Sequence, residues 1–405
     1  MHQNQYDCCI VGGGMVGASV ALGLAKQAYK VALIEKQALS PFDFAQAPDI
    51  RLSALNMHSI SLLSSLDAWQ HILKMRYRAY DTLSVWDAEP SKLDLFALLG
   101  AQNNDNQRTQ FTANEIGQNV LGYFVENRLI QLALYKEIIA SQHQQIDCIY
   151  EQEISNIGVE HGIVSLNNQQ TINAKLIIGA DGASSKVRQF ANIATSGWQY
   201  SQQANAILIK TESKVPAETW QAFHQSGPRA LLPMYDNYAC LVWYDDAETS
   251  AQIKSSSKEA LHEQITIHFP DLKHAFEKIN VAGFGLTRMH ADSYGKGRAI
   301  LAGDAAHTIN PLAGQGVNLG FQDVSTLLSL IDQHGLEDIN KLILHYEQKR
   351  KWPNLLMMSA MDVIYKGFSS SSLPISIARK LGLAIANNAG PLKHNVLKYA
   401  MGLDK

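Results

Sequence analysis

The sequence lacks any apolar run of the roughly 20 residues that a bilayer-spanning helix needs. It also lacks the basic region, apolar stretch and cleavage site of a secretory signal, because MHQNQYDCCIVGGG enters an apolar strand almost at once. There are only four cysteines. Cys8 and Cys9 are adjacent in a predicted strand and should face opposite ways, while Cys148 and Cys240 lie far from them. Neither a disulfide framework nor a metal-ligand spacing follows. A reduced, cytoplasmic setting is the expectation. A basic excess is missing as well. The net charge of -3 gives no electrostatic reason to expect nucleic acid. No internal repeat, low-complexity tract or Ser-His-Asp arrangement can be read along the chain. What remains is an ordinary globular composition over 405 residues, long enough for two or three domains with a large core.

Three glycine and aspartate signatures stand in order along that length. They are Gly12-Gly13-Gly14-Met15-Val16-Gly17, Ala180-Asp181-Gly182 and Gly303-Asp304-Ala305-Ala306-His307. Around the first, Tyr6 to Val11 reads as a strand, Val16 to Ala28 as a helix rich in Ala and Leu, and Val31 to Ile34 as a strand ending at Glu35. That is the β-α-β unit whose helix N-terminus receives a pyrophosphate. Gly12 permits the tight turn, Gly14 lets the backbone approach the phosphates, and Gly17 lets helix and strand pack closely. Glu35 is placed to accept hydrogen bonds from an adenosine ribose. A glycine-rich turn with a surface glutamate is the bland alternative, and the strand, helix, strand and acid context outweighs it.

Gly303-Asp304 follows the apolar strand Ala299 to Ala302, and Asp304 is placed to accept from a ribityl hydroxyl. Gly314-Gln315-Gly316 opens a helix running to about Gln333. Its free N–H groups and positive dipole end would face a flavin pyrimidine and favour an anionic reduced flavin. Together the three signatures suit one long ligand touched by distant segments, namely FAD.

Elsewhere Ser59 to Met75 has helical periodicity, Asn127 to Ser141 reads as a helix, and Lys175 to Gly179 as the strand delivering Asp181. Gln102 to Gln110 is polar and reads as a mobile loop. From Ala204 to His290, β-rich runs at 206–211, 229–234 and 238–244 alternate with turn residues. They predict an antiparallel sheet with a helix around Ser257 to His268. The expected fold is α/β of the FAD-linked reductase type. A Rossmann-like FAD domain takes residues 1–75, 116–196 and 291–345, a substrate domain takes 76–115 and 197–290, and helices fill 346–405.

GGGMVG, LIIGADGASSKVR and GDAAHTINPLAGQGVNLG resemble the three signatures of the single-component FAD-dependent aromatic hydroxylases, over essentially the full length. Within that family VENRLIQLAL, GPRALLPMYDN, LVWYD and LKYAMGL resemble the ubiquinone-biosynthesis hydroxylases. The resemblance implies a para-hydroxybenzoate-hydroxylase-like fold, FAD, and NAD(P)H as electron donor. It implies hydroxylation of the ring of a polyprenylated benzoquinol by O2, through a flavin C4a-hydroperoxide. It further implies that Asp181 and Gly182 serve the FAD pyrophosphate and NAD(P)H use, that Arg51 reaches the cofactor, and that Asn127 contacts the ribityl chain. Pro311, Gly314, Gln315 and Gly316 would stand beside the isoalloxazine, with Asn318 in the same cofactor-binding set. A surface ion pair for Arg51 and a helix cap for Asn127 are the bland alternatives.

His307 reads as a residue that orients its turn by hydrogen bonding, and no catalytic acid or base is assigned. Trp198, Tyr200, Tyr235, Trp243 and Tyr244 are candidates for an aromatic pocket, with about half expected in the core. Three alternatives stay open: the same flavin chemistry on another ring position or compound, an FAD dehydrogenase or prenyl reductase that needs no O2, and a non-catalytic flavoprotein. In the tail, Ile375, Ile377, Ala378, Leu381 and Ala384 share one helix side flanked by Arg379 and Lys380. After Gly390-Pro391, Lys393, Val396, Leu397, Lys398 and Tyr399 continue the mixture. Such a pattern suits peripheral membrane contact, partner docking or packing on the chain's own core.

Overall fold

The computed structural model describes residues 4–89, 108–140, 145–270, 272, 275–311, 314, 316–370, 372, 374–375, 377–379, 382–383, 394, 397–398 and 401–402. Its first sheet is built on the glycine motif. β1 (Asn4–Val11) is followed by α1 (Met15–Lys26) and β2 (Val31–Glu35). Cys8, Cys9 and Ile10 are fully buried, so both faces of β1 are covered and its pattern is a continuous apolar run. The helix is rich in small residues because it must approach closely. A Cβ on Gly23 would lie 2.2 Å from Leu328 of the later helix α8.

The single helical run expected over 59–75 is two helices, α2 (Met57–Ser65) and α3 (Trp69–Leu73). Asp67, at φ 58°, breaks the run between them. The periodicity survives the break because Leu62, Leu63, Leu66 and Ile72 all face the same core. β3 (Leu52–Leu55), β4 (Arg78–Tyr80) and β7 (Gly122–Glu126) form a small sheet in the order β3-β7-β4. Next come α4 (Asn127–Ala140), β8 (Ile146–Tyr150), β9 (Ile154–Gly158), β10 (Ile163–Leu166) and β11 (Thr171–Gly179). Short α5 (Lys186–Phe190) is capped by Ser185, and β17 (Gly295–Lys296) and β18 (Ala299–Leu301) complete the first sheet. Its order is β17-β18-β11-β1-β2-β8, with β18, β11, β1, β2 and β8 mutually parallel.

The second sheet has the order β19-β16-β12-β15-β14-β13-β5-β6. The short runs expected from sequence belong to longer strands. β12 spans Thr195–Thr211 and β16 spans Phe276–Ala291, with register shifts that bend the pair. β13 (Glu218–Phe223), β14 (Arg229–Pro233) and β15 (Tyr238–Asp246) lie beside them. β5 (Thr82–Asp87) and β6 (Thr109–Thr112) form one edge and β19 (His307–Thr308) the other. Residues 102–107 of the polar loop lie outside the described residues, and Thr109 and Gln110 belong to β6. α6 (Ala247–Ser255) and α7 (Lys258–His268), capped by Asp246 and Ser257, cover one sheet face.

α8 (Gly316–His334) packs on α1, and α9 (Ile339–Ser369) packs on α8. Beyond α9 the described tail residues turn inward. Arg379 is buried, with Nε 2.7 Å from Asp87, and Leu397 and Met401 join a core cluster with Tyr80 and Phe124. For these three residues, of the readings left open for the tail, the structure favours packing on the chain's own core. Lys380, Leu381, Ala384, Gly390, Pro391, Lys393, Val396 and Tyr399 lie outside the described residues. Among the described residues no helix is long and apolar enough to cross a membrane.

Candidate flavin site

The three signatures meet because of strand order. β18, β11 and β1 are adjacent and parallel, so Leu301, Gly179 and Val11 end side by side and the three loops leave the same sheet edge. That edge is where open α/β sheets bind ligands. A Cβ on Gly12 would lie 2.5 Å from the Ala180 carbonyl oxygen, and one on Gly17 would lie 1.9 Å from the Gly12 carbonyl oxygen. Val16 reaches the third loop, 3.1 Å from a Cβ on Gly303 and 2.8 Å from one on Gly320. Gly314, at φ +64°, stands against Ala54 of β3.

Among the glycines of the three signatures, two are not explained by the chain's own packing. A Cβ on Gly14 or on Gly182 would meet nothing within 4 Å. Gly14 is the N-cap of α1, no side chain caps that helix, and no acid stands in its first turn. An open path in front of free N–H groups fits a pyrophosphate. Two charged side chains near this edge are open to a ligand. The Asp304 carboxylate and the Arg51 guanidinium are solvent-accessible and make no side-chain hydrogen bond among the described residues. Enough chain surrounds Asp304 that burial raises its carboxyl, with Asp323 adding to the effect and His307 opposing it. These residues fit FAD, with α1 toward the phosphates and Asp304 toward a hydroxyl-bearing chain.

Other expected site residues have engaged side chains. Glu35 accepts from the Gly13 N–H at 2.8 Å and the Gln37 N–H at 3.0 Å, so it braces the glycine loop. Asp181 accepts from the N–H groups of Lys186 and Val187 and so caps α5. Its other oxygen is buried without a hydrogen-bond partner among the described residues, and burial raises its carboxyl. Asn127 accepts from Ser53 Oγ at 2.6 Å, and its N–H donates to the Arg51 carbonyl. Asn318 donates to the carbonyls of Ala54 and Gly314 and accepts from Asn56 N–H and Ser59 Oγ. Its amide pins the loop before α8, leaving only its first-turn N–H for a cofactor. The Pro311 carbonyl accepts from the Gly314 N–H at 3.1 Å, and Gly316 begins α8. Gln315 lies outside the described residues.

Beneath the third loop is a buried polar network that carries no sequence signature. Asp323 is fully buried and accepts from the Gly303 N–H at 3.0 Å and Arg350 Nε at 2.7 Å, with His307 Nε2 at 2.6 Å. Burial acts to raise the Asp323 carboxyl, but His307 and Arg350 overcome it and hold the group far below the ordinary carboxylate range. His307 is thus engaged on the protein side of the loop, orienting Gly303 through Asp323. Asn354 donates to Tyr294 Oη, which lies 3.0 Å from His290 Nε2. Gln131 of α4, within VENRLIQLAL, has no role assigned from sequence, and its amide donates to the Gly13 carbonyl at 2.8 Å.

Of the five aromatic candidates, Trp198, Tyr200 and Tyr244 form one run, with Trp198 and Tyr200 edge-on at 6.2 Å, and Tyr235 and Trp243 lie apart from it. Trp243 is core against α6 and α7, and Tyr244 is core on the other sheet face toward α9. Trp198 and Tyr235 are exposed, and Tyr200 donates to Asp362, which Arg288 also holds. No aromatic box forms from these five. Ile50, Leu52, Leu232, Met234 and Val242, with Tyr238 in the same cluster, instead make a mainly aliphatic face between β3 and the second sheet, beside Arg51 and Ala54.

Residues 5–354 match the family described as the FAD binding domain, and the chain belongs to that family of FAD-dependent aromatic monooxygenases. It is 38% identical over 403 residues to 3-demethoxyubiquinol 3-hydroxylase of Escherichia coli (strain K12), with 98% of each chain covered. It is 31% identical to the mitochondrial ubiquinone biosynthesis monooxygenase COQ6 of Homo sapiens, covering 98% of this chain and 92% of that one. Among solved structures, p-nitrophenol 4-monooxygenase PnpA from Pseudomonas putida DLL-E4 superposes with a TM-score of 0.76 at 16% identity, covering 98% of this chain and 97% of that one. That likeness shows the fold.

Two predictions arise here. Asp304→Ala should weaken FAD binding about 5- to 150-fold, the effect of losing a hydrogen bond worth about 1–3 kcal/mol. Flavin fluorescence titration of the apoprotein measures it, and an unchanged affinity would show that Asp304 does not touch the cofactor. The second concerns acid. Burial, with His307 adding, pushes the His290 imidazole down to about 4. Burial and Arg229 push His224 down to about 4 as well. The unfolded chain titrates near 6.5, so between about 6.5 and 4 it binds protons that the folded chain does not. Stability should therefore fall as pH drops through that window, on the order of 2 kcal/mol at pH 5 for His290 alone. Urea midpoints at pH 7.5 and pH 5 check this, and His290→Gln should reduce the difference.

Proposed function

We propose that this protein hydroxylates the ring of a polyprenylated benzoquinol in ubiquinone biosynthesis, with 2-polyprenyl-3-methyl-6-methoxy-1,4-benzoquinol as substrate. The observation that supports this reading most is similarity over 98% of the chain to a relative named for demethoxyubiquinol hydroxylation. In such a substrate positions 1 to 4 and 6 are occupied, which leaves one ring carbon bearing hydrogen. FAD, reduced by NAD(P)H, would supply activated oxygen when bound. The quinol hydroxyls make the ring electron-rich, so the chain need not provide a strong base.

The tasks left to the chain's residues are placement and exclusion of water. The free N–H groups of α1 would hold the pyrophosphate and the Asp304 carboxylate the neighbouring ribityl chain. The N–H groups of Gly316, Val317 and Asn318 would bear on its pyrimidine edge, where negative charge is stabilised by the helix dipole. Ile50, Leu52, Leu232, Met234 and Val242 offer an aliphatic wall suited to a substituted ring and the start of its prenyl tail. In this reading residues 1–75, 116–196 and 291–345 form the FAD region, residues 76–115 and 197–290 the substrate region, and residues 346–405 the C-terminal helical region.

Deleting the gene in its host and identifying the quinone that accumulates tests the substrate directly. Accumulation of the monomethoxy prenyl quinone, reversed by the wild-type gene, is expected. Accumulation of a quinone lacking a different ring oxygen would reject this substrate while leaving the flavin chemistry intact.

A further inference from the structure

We propose that the outward face of α9 docks this protein on an anionic lipid surface. Trp352 and Val363 are each 71% exposed, and Leu344 and Leu356 each 56%. At 100° per residue Trp352, Leu356 and Val363 share one stripe, about 16 Å long at 1.5 Å per residue. Lys341 and Lys349 stand on the same side before it and Lys366 after it, all exposed. The helix has only two acids, and both are turned away from this face. Glu347 pairs with Lys351, and Asp362 is buried against Arg288 and Tyr200.

An exposed face that is apolar in the middle and carries Lys341, Lys349 and Lys366 toward its ends, against the exposed N-cap Asp338 beside Lys341, keeps a net positive charge complementary to negatively charged headgroups over an acyl boundary. Trp and the lysine stems suit that depth. Lys366 lies over the two-fifths-exposed ring of Trp198, 5.7 Å from its centroid, which extends the basic and aromatic surface beside the stripe, while Arg288 on the same ring is paired with Asp362. The opposite face of α9 packs Met358 and Met361 against Tyr244, Ile309 and Leu319, next to the loop that leads into α8. A membrane under the stripe would lie one helix diameter from that loop. The use of such docking to reach a prenylated quinol rests on the substrate reading above, whereas the affinity for lipid does not.

The test is co-sedimentation of the FAD-loaded protein with phosphatidylcholine vesicles containing about one third phosphatidylglycerol, against pure phosphatidylcholine. The wild type should sediment with the anionic vesicles and be released by high salt. Trp352→Ser/Leu356→Gln/Val363→Gln should lower the partition coefficient more than about tenfold, and so should Lys341→Glu/Lys349→Glu. Flavin content and turnover of a short-chain, water-soluble quinol should not change in either variant. Wild type that ignores anionic vesicles, or variants that bind them as the wild type does, would overturn the proposal. So would a dimer in sedimentation velocity that the apolar variant converts to monomer while lipid binding is absent, because the stripe would then belong to a second copy. Failure of quinol turnover alone would strike the substrate reading and leave the docking standing.

Discussion

Asp323→Ala should cost roughly 3–5 kcal/mol of folding stability, the range for removing one member of a buried, hydrogen-bonded charge group. The carboxylate is fully buried and holds Gly303, His307, Arg350 and Asn354 at once. Without it the Arg350 charge is left inside without its carboxylate partner, and the Gly303 N–H loses its acceptor. Gly303 opens the third loop at φ +59°, so flavin retention should fall together with stability. Urea unfolding and the flavin-to-protein absorbance ratio measure the two effects. A variant with unchanged midpoint and full flavin would show that the network is not what holds the loop.

Gly14→Val should do the opposite: leave the apoprotein folded and remove the cofactor. A Cβ at Gly14 meets nothing within 4 Å, and its φ of -64° is ordinary for any residue. The added side chain would project into the path in front of the α1 N–H groups, and an FAD affinity loss of more than about 100-fold, or about 3 kcal/mol, is expected. The neighbouring Gly13→Ala makes the contrast. There a Cβ would lie 2.0 Å from Tyr135 Oη and 2.9 Å from Glu35 Cβ, so the damage should appear in folding. Thermal unfolding of the two apoproteins, with flavin titration of each, separates the cases. Equal FAD affinity in Gly14→Val and wild type would put the pyrophosphate elsewhere.

The nucleotide side of this protein is legible in its sequence because backbone geometry constrains it. A close approach such as Gly12 against Ala180 admits only glycine, and parallel strands ending side by side must bring their loops together. The break at Asp67 was not legible, since both helices present apolar residues to one core and the periodicity runs through it. The Asp323 network was not legible either. Its members come from β19, α8 and α9, and a buried charge looks like any other Asp or Arg until its partners are in place.

On the substrate side, residue type was a poor guide. Aromatics drew attention, yet Trp243 and Tyr244 pack the core, while plain aliphatics such as Leu52 and Leu232 form the face beside the loops. In the tail, a basic and apolar mixture suited lipid and core equally. Arg379 found Asp87, and the exposed stripe lies on the preceding helix.

Turnover under labelled oxygen tests the central reading most directly. Purified, FAD-loaded protein with NAD(P)H and 2-polyprenyl-3-methyl-6-methoxy-1,4-benzoquinol, supplied in detergent under 18O2, should yield a hydroxylated quinol carrying one 18O atom at the open ring carbon. Unlabelled hydroxyl in that product, or the same product formed without O2, would contradict the account.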